Sequence, residues 1–177
     1  MDRRKLIKQF CFAGAGIILL PACVQNNTKP SIVLKNLLVT GEQERMLAEL
    51  SATIIPATDT PGCKEIAAHL FVLKMVDDCY SKADQQKFIQ GFDHFEKACA
   101  TFSGHRFINC TLQRRILFLK NIETGARQDL PERFFYGVVK KLSIQAYTTS
   151  EFYLTNVVHY KLIPGTYRGC VPATNLI

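Results

Sequence analysis

Few residues in this 177-residue chain have the type and spacing that chemistry requires. The four histidines, His69, His94, His105 and His159, have no i,i+4 histidine partner and no C-x-x-C companion. A histidine standing alone on a helix reads as a surface residue or a satisfied core residue rather than a ligand. No G-x-S-x-G elbow, G-x-G-x-x-G fingerprint or phosphate loop is present. Asp77 and Asp78 are adjacent, so a helix points them about 100° apart. They cannot converge as an acid–base pair and read as a solvated helix end. The series Phe88, Phe92, Phe95 and Cys99 could wall a cofactor, but its spacing reads as core. No catalytic, cofactor-binding or metal-binding residue is assigned on this chain.

Two loop segments stand out instead. Ile54-Ile55-Pro56-Ala57-Thr58-Asp59-Thr60-Pro61-Gly62 and Pro164-Gly165-Thr166-Tyr167-Arg168-Gly169-Cys170 join rigid turn residues to apolar or aromatic ones. They either tie down on the domain's own core or lie on a partner, where Tyr and Arg are favoured anchors and Pro limits the entropy lost on docking. On the second reading Pro56, Thr58, Asp59, Pro61, Pro164, Tyr167 and Arg168 are interface candidates.

The elements that must position these loops are helical. Thr40-Gly41-Glu42-Gln43 fits a capping box, and Met46, Leu47, Leu50 and Ile54 recur at helical spacing until Pro56. A second helix is predicted over 65–78 with a stripe of Ile66, Leu70, Leu73 and Val76. A third opens at Ser81 and ends at Ser103-Gly104. A fourth is capped by Thr111, with Leu112, Ile116 and Leu119 as its stripe. Asp129-Leu130-Pro131 opens a fifth helix, whose Phe134, Phe135, Val138, Val139, Leu142 and Tyr147 are too many for a narrow stripe and place it centrally. A short helical stretch follows near Ser150–Tyr153, and periodicity is lost from Tyr160. The expected fold is all-α: one compact domain of about five or six helices with an extended C-terminal tail. With 47% apolar residues, 12 Phe and no Trp, the chain can fill one core.

The N-terminus reads as an address. Arg3, Arg4, Lys5 and Lys8 precede an apolar run from Phe10 to Leu20, shorter than the roughly 20 residues of a membrane-crossing helix. Asp2-Arg3-Arg4-Lys5-Leu6-Ile7-Lys8 resembles a twin-arginine export motif, and Leu20-Pro21-Ala22-Cys23 resembles a lipobox. The expected organisation is therefore a cleaved signal at 1–22, a lipid anchor on Cys23 with a tether to 39, and a helical domain over 40–177. Without the signal the formal charge falls from +7 to +4, with no Lys/Arg block, which argues against nucleic acid. Export favours disulfides, and Cys63, Cys79, Cys99, Cys110 and Cys170 are the candidates. Five is odd, so one thiol is free or bonded to another chain, with Cys170 the first choice for the latter.

The signal Asp2-Arg3-Arg4, the loop Ile54–Gly62, Thr149-Ser150-Glu151 and the tail Pro164-Gly165-x-Tyr167-x-Gly169-Cys170 together resemble the gluconate 2-dehydrogenase subunit 3 family. The resemblance implies a small helical partner of a large FAD-containing sugar or polyol dehydrogenase subunit, often with a cytochrome as electron acceptor. It implies FAD on the partner, no catalytic residue here, and Ser150 and Glu151 as further interface candidates. It also implies a reason for the twin-arginine signal, which can export the folded, flavin-loaded partner. The expectation is thus a non-catalytic binding and export subunit, anchored at the periplasmic face of a membrane. The alternative is a stand-alone envelope lipoprotein acting as a scaffold.

Overall fold

The computed structural model describes residues 29–125, 130–163, 165 and 170. Five α-helices are present among them: α1 (Gly41–Ile54), α2 (Ala68–Cys79), α3 (Lys82–Ser103), α4 (Leu112–Thr124) and α5 (Pro131–Thr148). A 3-10 turn (Phe107–Asn109) joins α3 to α4, and a π turn (Tyr153–Val157) follows α5. No strand occurs among the described residues. No described helix is long and apolar enough to cross a membrane.

The helix starts follow from their caps. Thr40 Oγ1 accepts the Gln43 N–H at 3.2 Å while Gln43 Oε1 accepts the Thr40 N–H at 2.9 Å, so two backbone donors that a helix start leaves orphaned are satisfied reciprocally. Ser81 and Thr111 each accept one backbone N–H in the same way. Pro131 occupies the first turn of α5, where no amide is needed. Asp129, expected as its cap, lies outside the described residues. The second helix begins later than its periodicity suggests. Ala67 adopts a left-handed conformation (φ 53°) that residues with a Cβ rarely take, and α2 starts only after it.

As predicted, α5 is central and touches each of the other four helices. Its longest contact is with α3, and Gly91 permits it: a Cβ there would lie 2.5 Å from Phe135 Cβ. Phe88, Phe92, Phe95, Phe107, Phe118 and Phe135 are all fully buried, with the Phe92 and Phe135 rings 4.6 Å apart. Each such burial contributes roughly 1.5–3 kcal/mol, and offset or edge-on packing adds to it.

Three further expectations need correction. In α4 the buried side is Phe118, Leu119 and Ile122, while Leu112 and Ile116 face solvent. The buried side is the one that carries the larger ring and places Arg115 against α1. Arg115 Nη1 meets Glu49 at 2.7 Å, and its other nitrogens donate to the carbonyls of Phe107 and Ile108.

Asp77 is not a solvated helix end but 1% exposed. Its carboxylate accepts the N–H groups of Lys35, Asn36 and Leu37 at 2.7–2.8 Å. Only Asp78 faces water, paired with Lys74.

The stretch before α1, expected as tether, is packed over residues 31–39. Leu37 and Val39 enter the core, Ile32 and Leu34 pack against it, and Glu44 accepts the Ser31 N–H at 2.6 Å. The buried Gln85 completes this end of the molecule, donating to the carbonyls of Val76, Asp77 and Tyr80 that close α2.

Candidate partner-binding face

The loop after α1 is built to hold one shape. Cys63 N–H donates to the Ile55 carbonyl at 2.9 Å, closing the loop at its neck. At that neck Gly62 has no room for a side chain. A Cβ would lie 2.4 Å from Ala57 N, 2.6 Å from Pro56 C and 2.7 Å from Ile55 O, all of them backbone atoms that cannot rotate away. Glu65 accepts the Gly62 N–H at 2.9 Å, and Thr58 N–H donates to the Thr60 carbonyl at 3.0 Å. Behind the neck, Cys63, Ala68 and Ala146 form a small buried cluster with Ile55, Ile66, Phe71 and Tyr147 packed on it. Lys64 ties the far side of the loop to Glu49 at 2.7 Å. The ammonium of Lys64 and the guanidinium of Arg115, bonded to that carboxylate, hold it below its ordinary range.

The two readings of the loop therefore divide between its residues. Ile55 and Cys63 point inward, Pro61 is half-buried, and Pro56, Ala57, Thr58, Asp59 and Thr60 are exposed. The C-terminal end of α5 arrives at the same cluster through Ala146 and Tyr147. Ser150 is half-buried, and its hydroxyl is used locally. It donates to the Tyr147 carbonyl at 2.7 Å and accepts the Tyr153 N–H at 3.3 Å, turning the chain out of α5. Glu151 is exposed, and Tyr147 and Tyr153 meet edge-on at 5.8 Å.

Beyond this turn lies a feature that periodicity did not reveal. Val157, Val158, Tyr160, Leu162 and Ile163 are 52–83% exposed. A run of exposed apolar residues of this kind makes the segment a candidate for covering by a partner. The signal for them was compositional: five apolar residues within seven positions, after the helical pattern had ended. Pro164, Tyr167 and Arg168 lie outside the described residues, as do Arg3, Arg4 and Cys23.

The titratable groups form no converging set here. His69 Nε2 is 4.0 Å from Glu44, and its Nδ1 is buried without a partner. Burial lowers its pKa below the usual histidine range, against the pull of Glu44. Among the described residues, no three or more His, Cys, Asp or Glu side chains are grouped to hold a metal. A cleft of about 300 Å³ between α1 and α3 is spanned by Arg106, which pairs with Glu96 at 3.3 Å and Glu42 at 3.5 Å.

The family model for gluconate 2-dehydrogenase subunit 3 matches residues 41–165. The chain belongs to that family. The subunit 3 match spans all five helices, the loop and the start of the tail, and begins just after the packed segment 31–39. It identifies a subunit of a dehydrogenase complex. No curated protein and no solved structure matches the chain.

All five cysteines among the described residues are thiols in the structure. Cys79 and Cys170 are exposed, while Cys63, Cys99 and Cys110 are buried. Burial pushes the Cys63 thiol up to about 11, so it is un-ionised at neutral pH. Its Sγ lies 3.7 Å from the Ser143 carbonyl oxygen.

Proposed function

We propose that this chain is the non-catalytic small subunit that binds, stabilises and helps export a large FAD-dependent sugar or polyol dehydrogenase subunit. In this reading the twin-arginine signal carries both chains outward, and lipid on Cys23 holds them at the periplasmic side of a membrane. A cytochrome then serves as electron acceptor for the flavin of the partner. The observation that carries the proposal is the meeting of the Ile54–Gly62 loop and the end of α5 on one buried cluster, with Pro56–Thr60 exposed in the loop and apolar residues exposed over 157–163 in the chain that follows α5. A closed loop of fixed shape loses little entropy on docking, and apolar side chains in water gain by being covered.

The test is purification of the tagged full chain from its own membranes in mild detergent. A flavoprotein should co-elute, with the absorbance of bound flavin. Recovery of the small chain with no flavoprotein would overturn the proposal.

A further inference from the structure

Cys99 lies one turn before the end of α3 at Ser103, and Cys110 follows the 3-10 turn that leads into α4. Their sulfurs are 3.8 Å apart, and Ser103 Oγ lies 3.2 Å from Cys110 Sγ and 3.7 Å from Cys99 Sγ. Cys99 is fully buried, and Cys110 is 7% exposed. No other pair among the five thiols is in contact. Cys63 faces Ser143, and Cys79 and Cys170 lie at the surface. A disulfide requires an S–S bond of about 2.05 Å, so closure asks for a shift of under 2 Å, within the reach of side-chain torsions.

We propose that Cys99 and Cys110 are a disulfide pair built into the fold, closed when the chain meets a dithiol–disulfide oxidant. The bond rivets the end of the longest helix to the start of α4 beside the Phe95–Phe107–Phe118 cluster. That it closes in the cell rests on the export proposed above; that these two sulfurs pair rests on geometry alone.

The chemistry balances in two steps. The thiolate of Cys110, the better exposed of the two, attacks the oxidant's disulfide, forming a mixed disulfide and releasing one thiol. The thiolate of Cys99 then attacks Cys110 Sγ, forming the Cys99–Cys110 bond and expelling the second thiol. Two electrons pass to the oxidant, and the two protons given up by the cysteines end on its sulfurs. Burial pushes the Cys99 thiol up to about 12, which lowers the fraction present as the attacking thiolate. Burial also shields the finished bond, because reduction needs a thiolate to reach the same sulfurs. With this pair closed, the odd count among the described cysteines leaves Cys63 inside and Cys79 and Cys170 open to a second chain.

The experiment is peptide mapping of the purified, folded full chain after equilibration with oxidised dithiothreitol. Remaining thiols are alkylated in denaturant. A Cys99–Cys110 crosslinked peptide, lighter by two hydrogens than its halves and absent in Cys110→Ser, is expected. Alkylation of both cysteines in the wild type, or a bond from Cys110 to any other cysteine, overturns the pairing. Protein taken directly from its own cells, with thiols trapped at lysis, reads the compartment separately. A pair that closes in the purified chain yet is found reduced in cells counts against export, not against the pairing.

Discussion

Asp77 holds a segment about forty residues away through three backbone amides. Taking a carboxylate out of water is costly, and burial alone pushes its pKa up. The three amide N–H groups of Lys35, Asn36 and Leu37, with the charge of Lys74 nearby, pull it down further than burial raises it, leaving it below the usual aspartate range. A carboxylate depressed in the fold contributes stability that is fully present above its unfolded pKa, about 4, and lost as pH falls through the lower folded value. In Asp77→Asn one acceptor oxygen becomes a donor that faces other donors. The expected cost is about 2–3 kcal/mol, read from urea unfolding at pH 7. The gap between the two proteins should close as the pH drops below about 4, where the wild type loses the same charge. A gap under about 0.5 kcal/mol at pH 7 would mean that apolar contacts of Leu37 and Val39 alone hold the segment. The sequence offered no means of telling Asp77 from Asp78, because which of two adjacent carboxylates is buried depends on a segment forty residues away.

At the scale of elements, the helices were legible wherever cap and periodicity agreed. Thr40, Ser81 and Thr111 each cap the helix they were expected to cap, and the all-helical architecture around a central fifth helix follows from the apolar count of α5. In α4 Leu119 was expected in the core and lies there, but its buried neighbours are Phe118 and Ile122 rather than Leu112 and Ile116, and periodicity alone could not rank the two faces. The choice rested on Phe118 finding Phe95, a tertiary contact at 5.2 Å. The candidate loop was visible as composition, but its geometry was not, since only backbone coordinates show that the Ile55–Ala57 backbone lies against Gly62. Gly62→Ala should therefore force the neck open. The expected cost is about 1–3 kcal/mol, with loss of the Cys63 N–H bond to Ile55. Hydrogen exchange checks this directly. The Cys63 amide should become fast while the amides within α5 stay slow, and an unchanged Cys63 amide would show that the loop absorbs the methyl elsewhere.

Over the whole molecule, the two features lie at opposite ends of α2. Ala68, in its first turn, belongs to the cluster behind the loop, and Asp77, in its last, holds the segment that precedes α1. Nine residues of helix separate them by about 14 Å, and well-separated sites without shared partners act additively. Stability and partner binding should accordingly come apart in mutants. Asp77→Asn should fold less stably yet, per folded molecule, capture the flavoprotein partner as the wild type does. Gly62→Ala, still folded at 25 °C, should retain the helical circular dichroism of the wild type while its capture of the partner falls at least tenfold. The comparison is made by quantitative pull-down of the complex from detergent-solubilised membranes, normalised to folded small chain. Equal capture by Gly62→Ala and wild type would remove the loop from the interface and leave residues 157–163 to carry it. Loss in Asp77→Asn despite intact folding would extend the interface to the segment at 31–39, whose side chains Val33 and Leu38 are about nine-tenths exposed and would then have a partner to cover them.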